Sequence, residues 1–274
     1  MESAHTSYAP PVEQLLTYGV GQAVASDKWP DYLELGLGPE QIPELIRMAS
    51  DEELNQSYSD TLEVWAPLHA WRALGQLRAE VAIEPLIALF APLEENEWAF
   101  DELPEVLGMI GPTALPTLAN SLADTSQDES TRKSATMSIQ KIGEHWPEAR
   151  SACVELLMKQ LELFDENDSE INEYLVASLV ELHATEAAPL MEQAFAAGSV
   201  AEDLMGDWED VQVELGLLLP DAINRPLILP KTPYPPFRPS PQTSNGEGRQ
   251  RAAVQQKKNK NKMAKLSRKK NRKR

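Results

Sequence analysis

One short pattern recurs four times along this chain and narrows what it can fold into. It reads ALGQL at 73–77, VLGMI at 106–110, SIQKI at 138–142 and SLVEL at 178–182, at steps of 33, 32 and 40 residues. Around each copy the apolar residues keep helical spacing. Leu175, Leu179 and Leu182 step by 4 and 3, and Val154, Leu157, Leu161 and Phe164 by 3, 4 and 3. Such stripes bury one face of a helix. Each copy is followed by a second apolar stretch with a proline at or near its start: Pro85, Pro116, Pro147 and Pro189. Pro43, in EQIPELIRM, repeats the feature one unit earlier. Proline suits the first helical turn, where its missing N–H has no partner to lose. Gly111-Pro112 and Gly143 are expected to mark the turns between paired helices. Strand signals are weak, since the one Asn-Gly pair, Asn245-Gly246, lies far downstream. The expected fold is all-α.

Two helices in each unit of about 30–45 residues is the pattern of an α-solenoid. A lone helical hairpin cannot cover its own apolar face, so it stacks on its neighbours. The alternative is an irregular helical bundle. On the solenoid reading, residues 1–58 form an N-terminal helical cap and 59–219 the repeats. Residues 220–256 are a Pro-rich flexible linker and 257–274 a basic disordered tail.

The unit, a small residue followed by Leu-Gly-x-apolar, a short turn, a proline and a second apolar helix, resembles HEAT-type repeats. It is most similar to the short variety first named from phycobilin lyases, covering roughly 59–197. The wider chain, with EQIPELIRM, EVWAPLHAWRALGQLRAE and MGDWEDVQVELGLL, is similar to a group of bacterial HEAT-like proteins. The resemblance implies stacked helical hairpins of armadillo type. It also implies, as one functional alternative, a lyase-like enzyme or chaperone.

Charge is split between two parts. Residues 225–274 carry 16 Lys/Arg and one acid, Glu247, whereas 1–224 carry 9 Lys/Arg and 42 Asp/Glu. An acidic body repels nucleic acid and anionic membranes, while a basic tail attracts both. The tail, KKNKNKMAKLSRKKNRKR, has no aromatic residue for base stacking. Its candidate polyanion-binding residues are Lys257, Lys258, Lys260, Lys262, Lys265, Arg268, Lys269, Lys270, Arg272, Lys273 and Arg274. The anion is RNA, a ribosome surface, a headgroup or an acidic protein. Between Pro220 and Pro241 there are eight prolines in 22 residues, which favours polyproline II. Pro230-Lys-Thr-Pro233 and Pro236-Phe-Arg-Pro239 have PxxP spacing. Leu227, Ile228, Leu229, Tyr234 and Phe237 are placed to pack back on the last helices.

Patterns that carry chemistry are scarce. The N-terminus lacks a basic start and a long apolar core, so no signal peptide is expected. No apolar run is long enough to span a membrane. One cysteine, Cys153, excludes an internal disulfide and lies on an apolar helix stripe, where it reads as a small core residue. A reducing, cytoplasmic setting is the expectation. The histidines His5, His69, His145 and His183 form no metal-ligand spacing. Asp165–Glu170 resembles a calcium loop but has Glu170 where glycine is needed and Val176 where a bidentate glutamate is needed. It reads as a solvated interhelical loop. No cofactor, metal or catalytic constellation is expected.

Six tryptophans remain the most informative large residues. Trp65, His69 and Arg72 are spaced for one helix face, while Trp71 points elsewhere, toward a core. Trp98 opens the next helix beside Asp101 and Glu102, and Trp208 is flanked by Asp207, Glu209 and Asp210. Aromatics and arginine dominate interface hot spots. The candidate partner-binding residues are therefore Trp65, His69, Arg72, Trp98 and Trp208, gathered in one acidic groove. The alternative places these tryptophans in the seams between repeats. The leading functional expectation is a scaffold or adaptor binding a protein with a basic patch. RNA or ribosome association through the tail is the second.

Overall fold

A computed structural model of the chain describes residues 7–21, 25–56 and 61–223. The chain divides into two units, 1–235 and 236–274, and every described residue lies in the first. The described residues are all-helical, with no strand among them. No helix among them is long and apolar enough to cross a membrane.

The segment before the repeats is mostly short 3-10 turns, at Val12–Leu16, Ser26–Lys28, Tyr32–Leu35 and Pro39–Gln41. Helices α1 (Ile42–Ala49) and α2 (Glu52–Gln56) follow. The N-terminal part is thus helical only toward its end. Next come α3 (Ala66–Gln76), α4 (Ile83–Ile87), α5 (Glu97–Ile110) and α6 (Leu115–Ala123). The described chain ends with α7 (Glu129–His145), α8 (Arg150–Leu161), α9 (Ser169–Glu181), α10 (Ala188–Ala196) and α11 (Trp208–Glu214).

The recurring pattern falls on α3, α5, α7 and α9. Its apolar second position is Leu74, Leu107, Ile139 and Leu179, each fully buried. The third position changes along the chain. Gly75 and Gly108 occupy it in the first two copies, and a Cβ on Gly108 would lie 2.6 Å from the Lys141 Cβ. Glycine therefore lets α5 and α7 approach closely. In the third copy Gln140 stands there and its side-chain oxygen accepts from the Ser178 hydroxyl at 3.0 Å. A directed polar contact replaces a shape fit between α7 and α9.

Helix starts follow two local rules. Asn96, Asp128, Asp168 and Asp207 cap α5, α7, α9 and α11, each accepting from backbone N–H groups of the first turn. The second helices α4, α6, α8 and α10 are instead led by 3-10 turns at Glu80–Ala82, Pro112–Ala114, Pro147–Ala149 and Thr185–Ala187. Each turn ends on a buried alanine: Ala82, Ala114, Ala149 and Ala187. Ahead of these turns the backbone turns left-handed at Arg78, Gly111 and His183. Gly111 marks its turn as expected. Gly143 does not, because α7 runs through it to His145. A Cβ there would meet Leu182 at 2.7 Å, so its smallness serves packing against α9 rather than chain reversal.

Packing runs in chain order. α1 lies against α3, α3 against α5, α5 against α7 and α7 against α9. In a second row, α1 touches α4, α4 touches α6, α6 touches α8 and α8 touches α10. The rows join where α4 meets α5, α6 meets α7, and α8 meets both α7 and α9.

Candidate functional site

The sequence places Trp65, His69 and Arg72 on one face of α3, and Gln76 continues it. That face does not open to solvent. His69 and Arg72 are 2% and 1% exposed. Gly19 and the stretch 29–32 supply part of what meets them. The Tyr32 hydroxyl lies 2.7 Å from His69 Nδ1, and His69 Nε2 lies 3.0 Å from the Gly19 carbonyl. A carbonyl only accepts, so Nε2 carries the proton and Nδ1 accepts from Tyr32. Gln76 binds the same segment twice, accepting from Tyr32 N at 2.9 Å and donating to Pro30 O at 2.8 Å. Tyr18 packs edge-on against His69, with centroids 5.1 Å apart.

Arg72 turns to α5. Its Nε donates to Glu102 Oε2 at 2.7 Å and its Nη2 to Oε1 at 2.5 Å. Trp71 Nε1 donates to the same carboxylate at 3.3 Å, and the guanidinium lies 4.8 Å over the Trp29 ring. Burial opposes the charge on Arg72, but the hydrogen bonds and attraction of Glu102 outweigh it and raise its pKa.

A second polar run joins Ser26, α5 and α7. Glu105 accepts from the Ser26 hydroxyl and, at 2.8 Å, pairs with His145 Nε2. Lys141 lies 3.8 Å from Glu105 and 2.6 Å from Glu144, which also accepts from Gln140 at 2.6 Å. Burial pushes the Glu105 carboxyl up, but His145, Ser26 and Lys141 together hold it below the ordinary carboxylate range. No buried side-chain nitrogen or oxygen among the described residues lacks a hydrogen-bond partner. Chemically these groups hold elements together through satisfied pairs.

One carboxyl stands apart. Asp101, on the exposed face of α5, is pushed up to about 6 by partial desolvation and by the nearby Glu102 and Glu97. Asp101 and Glu97 are both exposed and put negative charge on that face, the property a cationic partner would relieve.

The single groove expected for Trp65, His69, Arg72, Trp98 and Trp208 needs correction. Trp65 and Trp98 do meet, edge to face at 5.2 Å, where α3 adjoins α5. His69 and Arg72 lie beneath Tyr18, Gly19, Trp29 and Tyr32, so they present no surface. Trp208 packs instead on Phe195 of α10, with centroids 5.9 Å apart. The loop 165–170 is also more than solvated. Asn167 accepts from Arg132 and Gln160 and donates to Asn172, and Asp168 caps α9. Cys153 is fully buried, its thiol raised to about 11 by desolvation. Among the described residues no group of three or more His, Cys, Asp or Glu is placed to hold a metal ion. The eleven tail cations from Lys257 to Arg274, the two PxxP motifs and most of the linker lie outside the described residues.

Sequence reasoning missed Tyr32, Glu105 and Gln76, and placed Glu102 only as an acidic neighbour of Trp98. The available signal was His69, Arg72 and Gln76 recurring on one face of a helix that is otherwise apolar. Buried polar side chains demand partners, and Trp29-Pro-Asp-Tyr32 is a short aromatic run upstream.

Burial of His69 makes a testable statement about pH. Desolvation lowers its pKa to about 4, against an ordinary value near 6.5. Above pH 6.5 it is neutral in both folded and unfolded chains. As pH falls toward 4 the unfolded chain takes the proton and the folded chain does not, so stability drops. The full loss is about 3 kcal/mol. Denaturant titrations of the wild type and His69→Gln between pH 7 and 4 should show the stability gap between them shrinking as pH falls. A constant gap would show that His69 titrates normally in the fold.

Comparison with protein-family models, with curated proteins and with solved structures finds no match to this chain.

Proposed function

We propose that the chain is an α-solenoid of HEAT-like, armadillo-type hairpins that serves as a protein-interaction scaffold or adaptor and performs no catalysis. The observation that supports this reading is the packing order, with α3, α5, α7 and α9 in one row and α1, α4, α6, α8 and α10 in another. Elements that touch chiefly their neighbours in sequence build an extended surface rather than one enclosed centre. The acidity of residues 1–224 and the exposed acids Glu97 and Asp101 favour a partner with a basic patch. Association of that kind is fast and weakens with salt.

The tail supports a second reading, in which eleven Lys/Arg between 257 and 274 hold RNA or a ribosome surface by phosphate attraction. One experiment separates the two. The full chain and a chain lacking 257–274 are used for affinity capture at low and high salt, with protein and RNA both quantified. Scaffolding through the body predicts the same protein partner with either chain, released by salt. RNA recovered only with the full chain favours the tail. Capture of no protein by the shortened chain at low salt would defeat the scaffold reading.

A further inference from the structure

One ridge of α3 binds main chain as well as side chains. Gln76 accepts from the Tyr32 N–H at 2.9 Å and donates to the Pro30 carbonyl at 2.8 Å. These two main-chain groups flank Asp31. The backbone there is extended, with φ −63° and ψ 149° at Trp29 and φ −75° and ψ 98° at Asp31. A primary amide carries an acceptor and donors side by side, so it pairs with such a stretch much as a neighbouring strand does. That pairing takes no account of the side chain at 31, and Asp31 is exposed.

Side chains at 29 and 32 supply the specificity that main-chain pairing lacks. Trp29 and Tyr32 are buried, whereas Asp27, Lys28, Asp31, Leu33 and Glu34 around them are exposed. The Arg72 guanidinium lies 4.8 Å over the Trp29 ring, and the Tyr32 hydroxyl donates to His69 Nδ1 at 2.7 Å. Two aromatic anchors three residues apart, joined by a paired main chain, are the means by which a short peptide is held on a surface. Ser26 extends the contact, its hydroxyl donating to Glu105 of α5. The 33-residue step between the first two copies of the repeated pattern carries His69 onto Glu102 and Arg72 onto Glu105. Residues 26–32 therefore cross the same ridge on successive first helices. A surface that repeats from helix to helix suits an extended ligand.

We propose that this ridge is a peptide-binding site which the chain fills with its own residues 26–32, and that its partner is an extended segment of another protein carrying Trp and, three positions later, Tyr. The chain's own segment is the template for that chemistry: a flat ring for Arg72, a hydroxyl for His69, and a main-chain carbonyl and N–H for Gln76. Gly36 follows it with φ +82°, a conformation glycine adopts without strain, and gives the segment a pliable attachment from which to swing away. Because it is tethered, it competes at an effective concentration on the order of millimolar, so an outside ligand enters fully only where the segment is weakened or outcompeted. The exposed acids Glu97 and Asp101 play no part in this site, so its test and the affinity capture above fail independently.

Fluorescence anisotropy of a labelled peptide of residues 26–36, SDKWPDYLELG, tests the site on full-length chains. Trp29→Ala removes one anchor of the chain's own segment and alters no residue of α3. The peptide should bind this variant at least about tenfold more tightly than it binds the wild type, where the tethered segment competes. A peptide with both anchors replaced by alanine should bind neither chain. No binding to the variant, equal affinity for variant and wild type, or equal binding of the two peptides overturns the proposal. Should circular dichroism show the variant unfolded, hydrogen exchange of the full-length wild type decides. A large excess of unlabelled peptide should then speed exchange at the Tyr32 amide by about tenfold, while the amide of fully buried Leu74 stays protected. A Tyr32 rate unmoved by the peptide overturns the proposal.

Discussion

Arg72→Met lowers unfolding free energy by about 3–5 kcal/mol, the usual cost of removing one partner from a buried ion pair. Glu102, 7% exposed, then keeps a carboxylate that loses its facing cation and retains the Trp71 hydrogen bond, or takes up a proton. Glu102→Leu alone is similarly harmful, because it removes the anion facing a guanidinium at 1% exposure. The double variant Arg72→Met, Glu102→Leu recovers most of the loss, since two apolar side chains of similar size fill the space without unpaired charge. Urea denaturation of the wild type, both single variants and the double variant completes the cycle. A double variant no more stable than the worse single variant would show that the α3–α5 seam depends on something other than this pair.

The second large effect tests equivalence of the repeated positions. Leu74→Ala, Leu107→Ala, Ile139→Ala and Leu179→Ala should each cost about 2–5 kcal/mol, the range for buried truncation that leaves a cavity. All four side chains are fully buried and hold the same place in α3, α5, α7 and α9. The measured quantity is the urea midpoint of each variant at constant slope. One position costing less than 1 kcal/mol while the others cost several would mean that the pattern repeats in sequence without repeating in the core.

These two predictions mark what was legible. The apolar period and the proline-led second helices are local, each decided by residues within one or two turns. Their reading as helices follows from neighbours alone. The fates of His69 and Arg72 were not local. Their partners Gly19, Tyr32 and Glu102 stand 30–50 positions away, and no spacing rule singles them out. Gly143 misled for a related reason. A glycine next to a helix end signals a turn, but here the Leu182 side chain across the seam requires it. Trp65 and Trp98 share a face code with interface residues because seams and interfaces are both built from large amphipathic rings.

The two kinds of contact separate in folding time. Seams such as Trp71–Glu102 and Gln140–Ser178 join residues 31 and 38 apart, and helices within each hairpin form from nearer neighbours still. The attachment of residues 19–21 and 25–32 spans up to 50 positions and rests on short turns. It also needs α3 already formed, since His69, Arg72 and Gln76 align only once the helix exists. Chain closure of this kind follows the assembly of the surface it covers. Residues 19–21 and 25–32 therefore settle only after α3, although they precede it in the chain.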